Sequence, residues 1–394
     1  MMSGVLEGIR VLDFGRYIAG PHCASLLGDF GAEVIRIEKV DGSEDRYIAP
    51  LNDEYGAHYI LNSRNKLGLT LNPTKPEGKE ITRRLIETAD VVVVNMPYHT
   101  LGAMGLDYDS LKAIKPDIIL TTSSAFGSKG PFAEKLGFDG VAQAMSGNMY
   151  LTGHENEPMK SFGPYVDYST GMLCAFGTML ALYERKTSGV GQIVEGALLN
   201  TAMTITNPAV MEQAICALNR VATGNRTPSG APADAFQTKD NWVLVQSLGN
   251  PLFKRWVKLM GEPEWLEDPR FVDDNSRGAN GAVISERMAR WCGERTTKQV
   301  LDQLESAGIP AGEVLSPQQV LDHPQVQGAG LLKHIDIPGI DKPVPVMDTP
   351  IALSRTPGGI KAPPPALGEH TDSLLKSLNY SEEEIANLRS KRVV

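Results

Sequence analysis

A lone carboxylate opens the most chemically suggestive stretch of this chain. Asp167 stands in Gly163-Pro164-Tyr165-Val166-Asp167-Tyr168-Ser169-Thr170-Gly171, and beyond it Met172, Leu173, Phe176, Met179, Leu180 and Tyr183 recur at i, i+3 and i+4. That spacing predicts a helix over 168–186 laid against a core. Asp167 would sit at the helix mouth, where unpaired backbone N–H groups carry partial positive charge and hold a carboxylate ionised. Gly163 and Gly171 flank it and would let a ligand come close. Such an anion is suited to attack an electrophile; the plainer role for the same residue is an N-cap. A second chemical grouping is basic: Arg36, Lys39, Arg46, Arg64 and Lys66 cluster early, as a solvated face or as the cradle of an anionic ligand.

The elements that must position these groups read as an α/β fold. Ile9 to Phe14 is an apolar run typical of a buried strand, followed by a helix from Gly20 to Phe30 and a strand from Glu33 to Glu38. Helices at 78–87 and 106–114 alternate with strands at 91–95 and 118–123, which predicts a parallel sheet with helices on both faces. Ligands of such sheets bind outside the carboxyl ends of the strands. Those ends are Gly15-Arg16-Tyr17, Lys39, Asn95-Met96-Pro97 and Ser123 to Gly127. A dinucleotide-binding dehydrogenase is the rival for any βαβ opening, but Gly15-Arg16-Tyr17-Ile18-Ala19-Gly20-Pro21 does not fit GxGxxG.

The stretch around Asp167 resembles the family III CoA-transferases, the group that includes formyl-CoA and crotonobetainyl-CoA:carnitine transferases. The likeness rests on Val166-Asp167-Tyr168-Ser169-Thr170-Gly171, on the turn Thr187-Ser188-Gly189-Val190-Gly191-Gln192 with one Ser inserted, on Ala19-Gly20-Pro21, and on the closing Pro365 to Asp372. It extends over nearly the whole chain. The resemblance implies that Asp167 is a nucleophile that forms an acyl–aspartyl anhydride and then an aspartyl-CoA thioester. It implies a CoA or acyl-CoA substrate rather than a tightly bound cofactor, with Tyr17, Ile18, Lys39, Arg64, Asn95 and Gly137 in the CoA site. Thr74 and Ala103 depart from basic residues found in some members, with Arg64 or Arg46 as replacements. The related α-methylacyl-CoA racemases carry Gly-His-Asp where this chain has Gly137-Phe138-Asp139, and Phe138 moves no proton. Transferase is therefore favoured over racemase, with a non-catalytic CoA-binding homologue as a third reading. The resemblance also implies an interlocked homodimer.

Domain organisation follows. A Rossmann-like large domain is expected over 1–205 and 325–394 and a smaller α/β domain over 225–315, joined by linkers 206–224 and 316–324. The Gly/Pro/Asn-rich crossing from Asn219 to Asp234 marks the change. The small domain is expected to offer Leu248-Gly249-Asn250 as a lid, and backbone N–H groups near Gly249 or Gly171 are expected as oxyanion donors. A length of 394 residues, 42% hydrophobic and 22% charged, belongs to a globular enzyme. The net charge of −9 opposes nucleic-acid binding. Four cysteines without CxxC spacing suggest neither a metal site nor a disulfide framework, and the absence of a signal sequence or long apolar run predicts a cytoplasmic protein with no membrane partner.

Overall fold

The computed structural model describes residues 4–394. They divide into two compact units, one of residues 4–147, 161–211 and 329–394, the other of residues 148–160 and 212–328. The segment 148–160, expected in the large domain, groups with the second unit.

The first unit is built on a six-stranded parallel sheet. Its strands are β1 (Arg10–Asp13), β2 (Glu33–Glu38), β3 (Lys66–Thr70), β4 (Val91–Val94), β5 (Ile119–Ser124) and β6 (Ile193–Ala197), in the spatial order β3-β2-β1-β4-β5-β6. The helices α1 (Ala19–Asp29), α2 (Pro76–Thr88), α3 (Asp139–Met145), α4 (Tyr165–Ser188) and α5 (Leu198–Cys216) follow in the chain. Side chains alternate across the sheet as the two-residue repeat of a strand requires. Leu12, Ile35, Val92, Val94 and Leu120 feed one core, while Val11, Val34, Val91, Val93 and Ile119 feed the other, against Cys23, Leu27 and Cys174. The order reverses at β1, whose neighbours β2 and β4 carry the chain in opposite directions, and the carboxyl ends there form the crevice where ligands of such sheets bind.

Buried ion pairs tie together this half of the sheet and the elements packed on it. Asp13 is fully buried with Lys66 at 2.8 Å and Arg36 at 3.5 Å, Glu38 takes Arg46 at 2.6 Å, and Asp29 takes Arg64 at 2.7 Å. Burial would raise the Asp13 carboxyl, but Lys66 and Arg36 outweigh it and hold it below the ordinary value. These pairs correct the basic-cluster expectation. Arg64, Arg46 and Lys66 are buried with internal carboxylates, so their cations are not presented to a ligand.

The second unit holds the antiparallel strands β7 (Ala233–Gln237), β8 (Trp242–Gln246) and β9 (Ala311–Glu313), with β8 in the centre. Its core gathers Phe253, Trp256, Phe271, Ile284 and Met288. Gly249 precedes the helix α6 (Asn250–Met260) at φ +83°, and its N–H is taken by the Asp274 carboxylate at 2.9 and 3.0 Å. The N–H proposed as an oxyanion donor is thus already engaged within its own unit. In the first unit the chain closes with α7 (Glu382–Ser390), whose following residues Val393 and Val394 are buried in the sheet's core. Among the described residues no helix is long and apolar enough to cross a membrane.

Candidate active site

Asp167 lies in the first turn of α4, two residues after the helix begins at Tyr165. The helix therefore starts earlier than the apolar pattern predicts, and Asp167 does not cap it. The cap comes from elsewhere in the chain. Asp139, at the start of α3, uses its Oδ2 to accept the N–H of Val166 at 2.8 Å and of Asp167 at 3.0 Å. Its Oδ1 accepts from Gln143 Nε2, and Gln143 Oε1 in turn accepts the Ser161 N–H at 2.9 Å. Asp139 is 7% exposed. The positive end of α4 is thus spent on Asp139 rather than on Asp167.

The electrostatic outcome at Asp167 reverses the expectation of a carboxylate held ionised. Burial, and after it the negative charge of Asp139, push the Asp167 carboxyl up to about 7. At neutral pH the group is divided between acid and carboxylate, and once ionised it is poorly solvated and more basic than an ordinary aspartate.

The side of α4 that packs inward also differs from the expected one. Val166, Thr170, Gly171, Cys174, Ala175, Thr178, Ala181 and Leu182 are buried, whereas Met172, Leu173, Phe176, Met179, Leu180 and Tyr183 are exposed, Phe176 by 63% and Tyr183 by 76%. The small inward residues let α4 lie close on α1: a Cβ added at Gly171 would come within 2.8 Å of the Ala19 carbonyl oxygen. Gly171 is therefore a helix-packing glycine, and its N–H belongs to the α4 ladder rather than to an oxyanion. The inward polar groups are satisfied, Thr178 with Thr121 at 2.6 Å and Thr170 with Thr201 at 2.8 Å. Gly189 closes the helix at φ +70°, the left-handed position that favours glycine.

Asp167 borders a cavity of about 210 Å³ at the carboxyl ends of β1, β4 and β5, with Arg16, Tyr17, Asn95, Ser124, Gly137 and Phe138 among its lining residues. Tyr17 adopts φ +60°, uncommon for a residue with a side chain, and meets Phe138 edge to face at 5.3 Å. Asn95 clamps the same turn, accepting the Arg16 N–H at 2.6 Å and donating to the Arg16 carbonyl at 2.6 Å. Ile18 is buried as the residue ahead of α1 and does not face the cavity, which corrects its expected role in lining it. The first turn of α1 has no side-chain cap and begins at this wall.

A second cavity of about 470 Å³ shares Arg16 and Met96 with the first and is lined also by Lys39, Asp41, Thr74, Lys75, Met104 and Arg392. Of the predicted residues, then, Asp167, Tyr17, Asn95 and Gly137 surround one cavity and Lys39 the adjoining one, while Arg64 and Ile18 stand apart. Lys75 and Arg392 went unrecognised as partners of Lys39. They lie 317 positions apart and only the fold joins them.

Comparison with known proteins bears on this geometry. The family model described as CoA-transferase family III matches residues 6–371. A succinyl-CoA–D-citramalate CoA-transferase of Chloroflexus aurantiacus is 31% identical, the match covering 99% of this chain and 98% of that protein. Human succinyl-CoA:glutarate CoA-transferase is 30% identical over 99% of this chain and 90% of its own. The crystal structure of a CAIB/BAIF family protein from Brucella suis superposes with a TM-score of 0.83 at 30% identity, covering 96% of this chain and all of that one.

Proposed function

Because this chain belongs to CoA-transferase family III, it is an enzyme of CoA transfer, and we propose that it moves CoA between dicarboxylic acids through covalent intermediates on Asp167. The observation that carries this reading is Asp167 itself, bordering a cavity at the strand ends with its carboxyl raised to about 7. A desolvated carboxylate is a strong nucleophile once ionised.

Attack of the Asp167 carboxylate oxygen on the acyl-CoA carbonyl breaks the C–S bond and gives a mixed anhydride and CoA thiolate. The thiolate then attacks the Asp167 carbonyl carbon, releasing the donor acid and leaving an aspartyl-CoA thioester. An acceptor carboxylate attacks that carbonyl in turn, expelling the thiolate and forming a new anhydride on Asp167. Return of the thiolate to the acceptor's acyl carbon frees Asp167 and the new acyl-CoA. The energy of the thioester stays in activated acyl bonds throughout, which a serine ester would lose. In the uncapped first turn of α1 the N–H groups of Ala19 and Gly20 are the donors offered to the oxyanions, Pro21 having none and His22 giving its own to the Ile18 carbonyl, and each such donor is typically worth about 3 kcal/mol of barrier.

Dicarboxylates are favoured because the two relatives described above are named for succinyl-CoA with citramalate or glutarate as partner acid. The cavity lined by Lys39 takes the nucleotide end of CoA, and the cavity of Asp167 the thioester. The racemase alternative lacks the second proton carrier beside Asp167: among the described residues no histidine lines this cavity, and Phe138 stands where that carrier would be needed. The exposed apolar side of α4 is the contact with a second copy of the chain. Four free thiols accord with the reducing cytoplasm.

Hydroxylamine provides the test. Enzyme incubated with succinyl-CoA and then hydroxylamine should carry a hydroxamate on the peptide containing Asp167, and a panel of free acids should yield new CoA esters detectable by mass spectrometry. A hydroxamate on another residue, or α-carbon deuterium uptake without new esters, would sink the reading.

A further inference from the structure

The second cavity is walled by cations from separate parts of the chain. Lys39 follows β2, Lys75 precedes α2, and Arg392 follows α7, with Asp41 the carboxylate among the lining residues. Arg16 and Met96 line both cavities, while Lys39, Lys75 and Arg392 line the second alone. A molecule that places its thioester at Asp167 and continues past Arg16 therefore brings its far end to these three cations.

Arg392 is presented by an unusual piece of backbone. α7 closes with the Val393 N–H on the Leu388 carbonyl at 2.9 Å and the Arg392 N–H on the Arg389 carbonyl at 2.8 Å. That is a Schellman closure, and it puts Arg392 at its left-handed position with φ +51°. Glycine is the residue that suits this position, and an arginine is strained there. The turn is pinned to the cavity wall. The Asn72 N–H donates to the Val393 carbonyl at 2.7 Å, and Lys75 Nζ donates to the carbonyls of Lys391 and Arg392. Val393 and Val394 anchor it in the core.

The guanidinium of Arg392 pairs with Asp41, both largely exposed. An exposed pair of this kind is held weakly, so a phosphate dianion exchanges for the carboxylate at little cost. Resting on the reading of this cavity as the nucleotide end of the CoA site, we infer that Arg392, held in place by Lys75, is the ligand of the 3′-phosphate of CoA. The planar guanidinium matches a phosphomonoester with two parallel N–H···O bonds, and this phosphate is the end of CoA most remote from the thiol.

Binding of CoA and of 3′-dephospho-CoA, measured by calorimetry on wild type and Arg392→Gly, tests the assignment. Wild type is expected to bind CoA about 10–100-fold more tightly than its dephospho form, the range for a charge-assisted bidentate contact. Arg392→Gly should bind the two alike, keep the wild-type affinity for dephospho-CoA, and melt no lower than wild type, because glycine suits the left-handed position. A variant that retains the full preference for CoA overturns the inference while leaving the CoA site in place. A wild type that binds both forms equally overturns it as well. A wild type that binds neither overturns the CoA-site reading and this inference together.

Discussion

Asp139 Oδ2 accepts the backbone N–H of Asp167 at 3.0 Å, so one carboxylate terminates the helix that carries another. The donors that would have stabilised an ionised Asp167 serve its neighbour, and the neighbour's charge adds to burial in raising the Asp167 carboxyl to about 7. With Asp167 as the proposed nucleophile, transfer would need its ionised form, so kcat/KM should rise tenfold per pH unit below about 7 and level off above it. Asp139→Asn keeps an oxygen for both N–H groups and removes the charge. Its acidic limb should move to lower pH by about half a unit to one unit. A limb that stays in place would show that Asp139 exerts no field on Asp167.

The same raised pKa makes a stability prediction of definite sign. A carboxyl whose folded pKa exceeds its unfolded value of 3.8 favours the folded state at low pH, and the benefit is lost as pH rises through about 7. Asp167→Asn removes that loss. The variant should be more stable than wild type by roughly 1–3 kcal/mol at pH 8 and gain nothing at pH 4, while transfer falls by about a thousandfold or more. Thermal melts at the two pH values, beside a transfer assay, decide it; a destabilised variant at pH 8 would refute the account of burial.

Lys39 is the exposed cation of the second cavity closest in sequence to the strand ends, and among the described residues its ion pair is with the exposed Glu44. Lys39→Ala should raise the dissociation constant of acyl-CoA by about 5–10-fold, more than it slows the bound complex. An unchanged constant would remove Lys39 from the CoA site.

A helix face carrying Met172, Leu173, Phe176, Leu180 and Tyr183 in the open is an apolar surface of the kind that marks contact with another molecule. Light scattering at micromolar concentration should return a dimer, and one that persists on dilution if the subunits thread each other as the family resemblance implies. A monomer under those conditions contradicts the expectation.

Much of the sheet was legible because its strands are continuous apolar runs: β2 begins and ends where the sequence places it, and β4 and β5 lie within a residue of expectation. β3 and β6 were not anticipated. Lys66 opens β3 with its ammonium buried on Asp13, and a lysine and a glycine interrupting Leu67 and Leu69 weaken the strand signal of so short a segment. The place of Asp167 near the start of α4 was legible, but its electrostatics were not, because they depend on Asp139 across 28 positions. Periodicity found α4 and assigned it the wrong face, since it records where apolar residues cluster and not what covers them. Arg64 and Lys66 illustrate the same blindness to partners: basic residues near a site read as ligand contacts until Asp29 and Asp13 claim them.

The inverted α4 changes how substitutions in this chain should be judged. Apart from Val166 and Leu182 its sheltered positions hold threonines, a cysteine, glycine and alanines, while most of its large apolar side chains stand at open positions. A saturation scan scored by growth or activity should therefore run against solvent exposure along this helix. Phe176, Leu180 and Tyr183 should reject charged replacements as interior residues do. A tolerance map that instead followed exposure, accepting Asp or Lys at all three, would mean that nothing ever covers them.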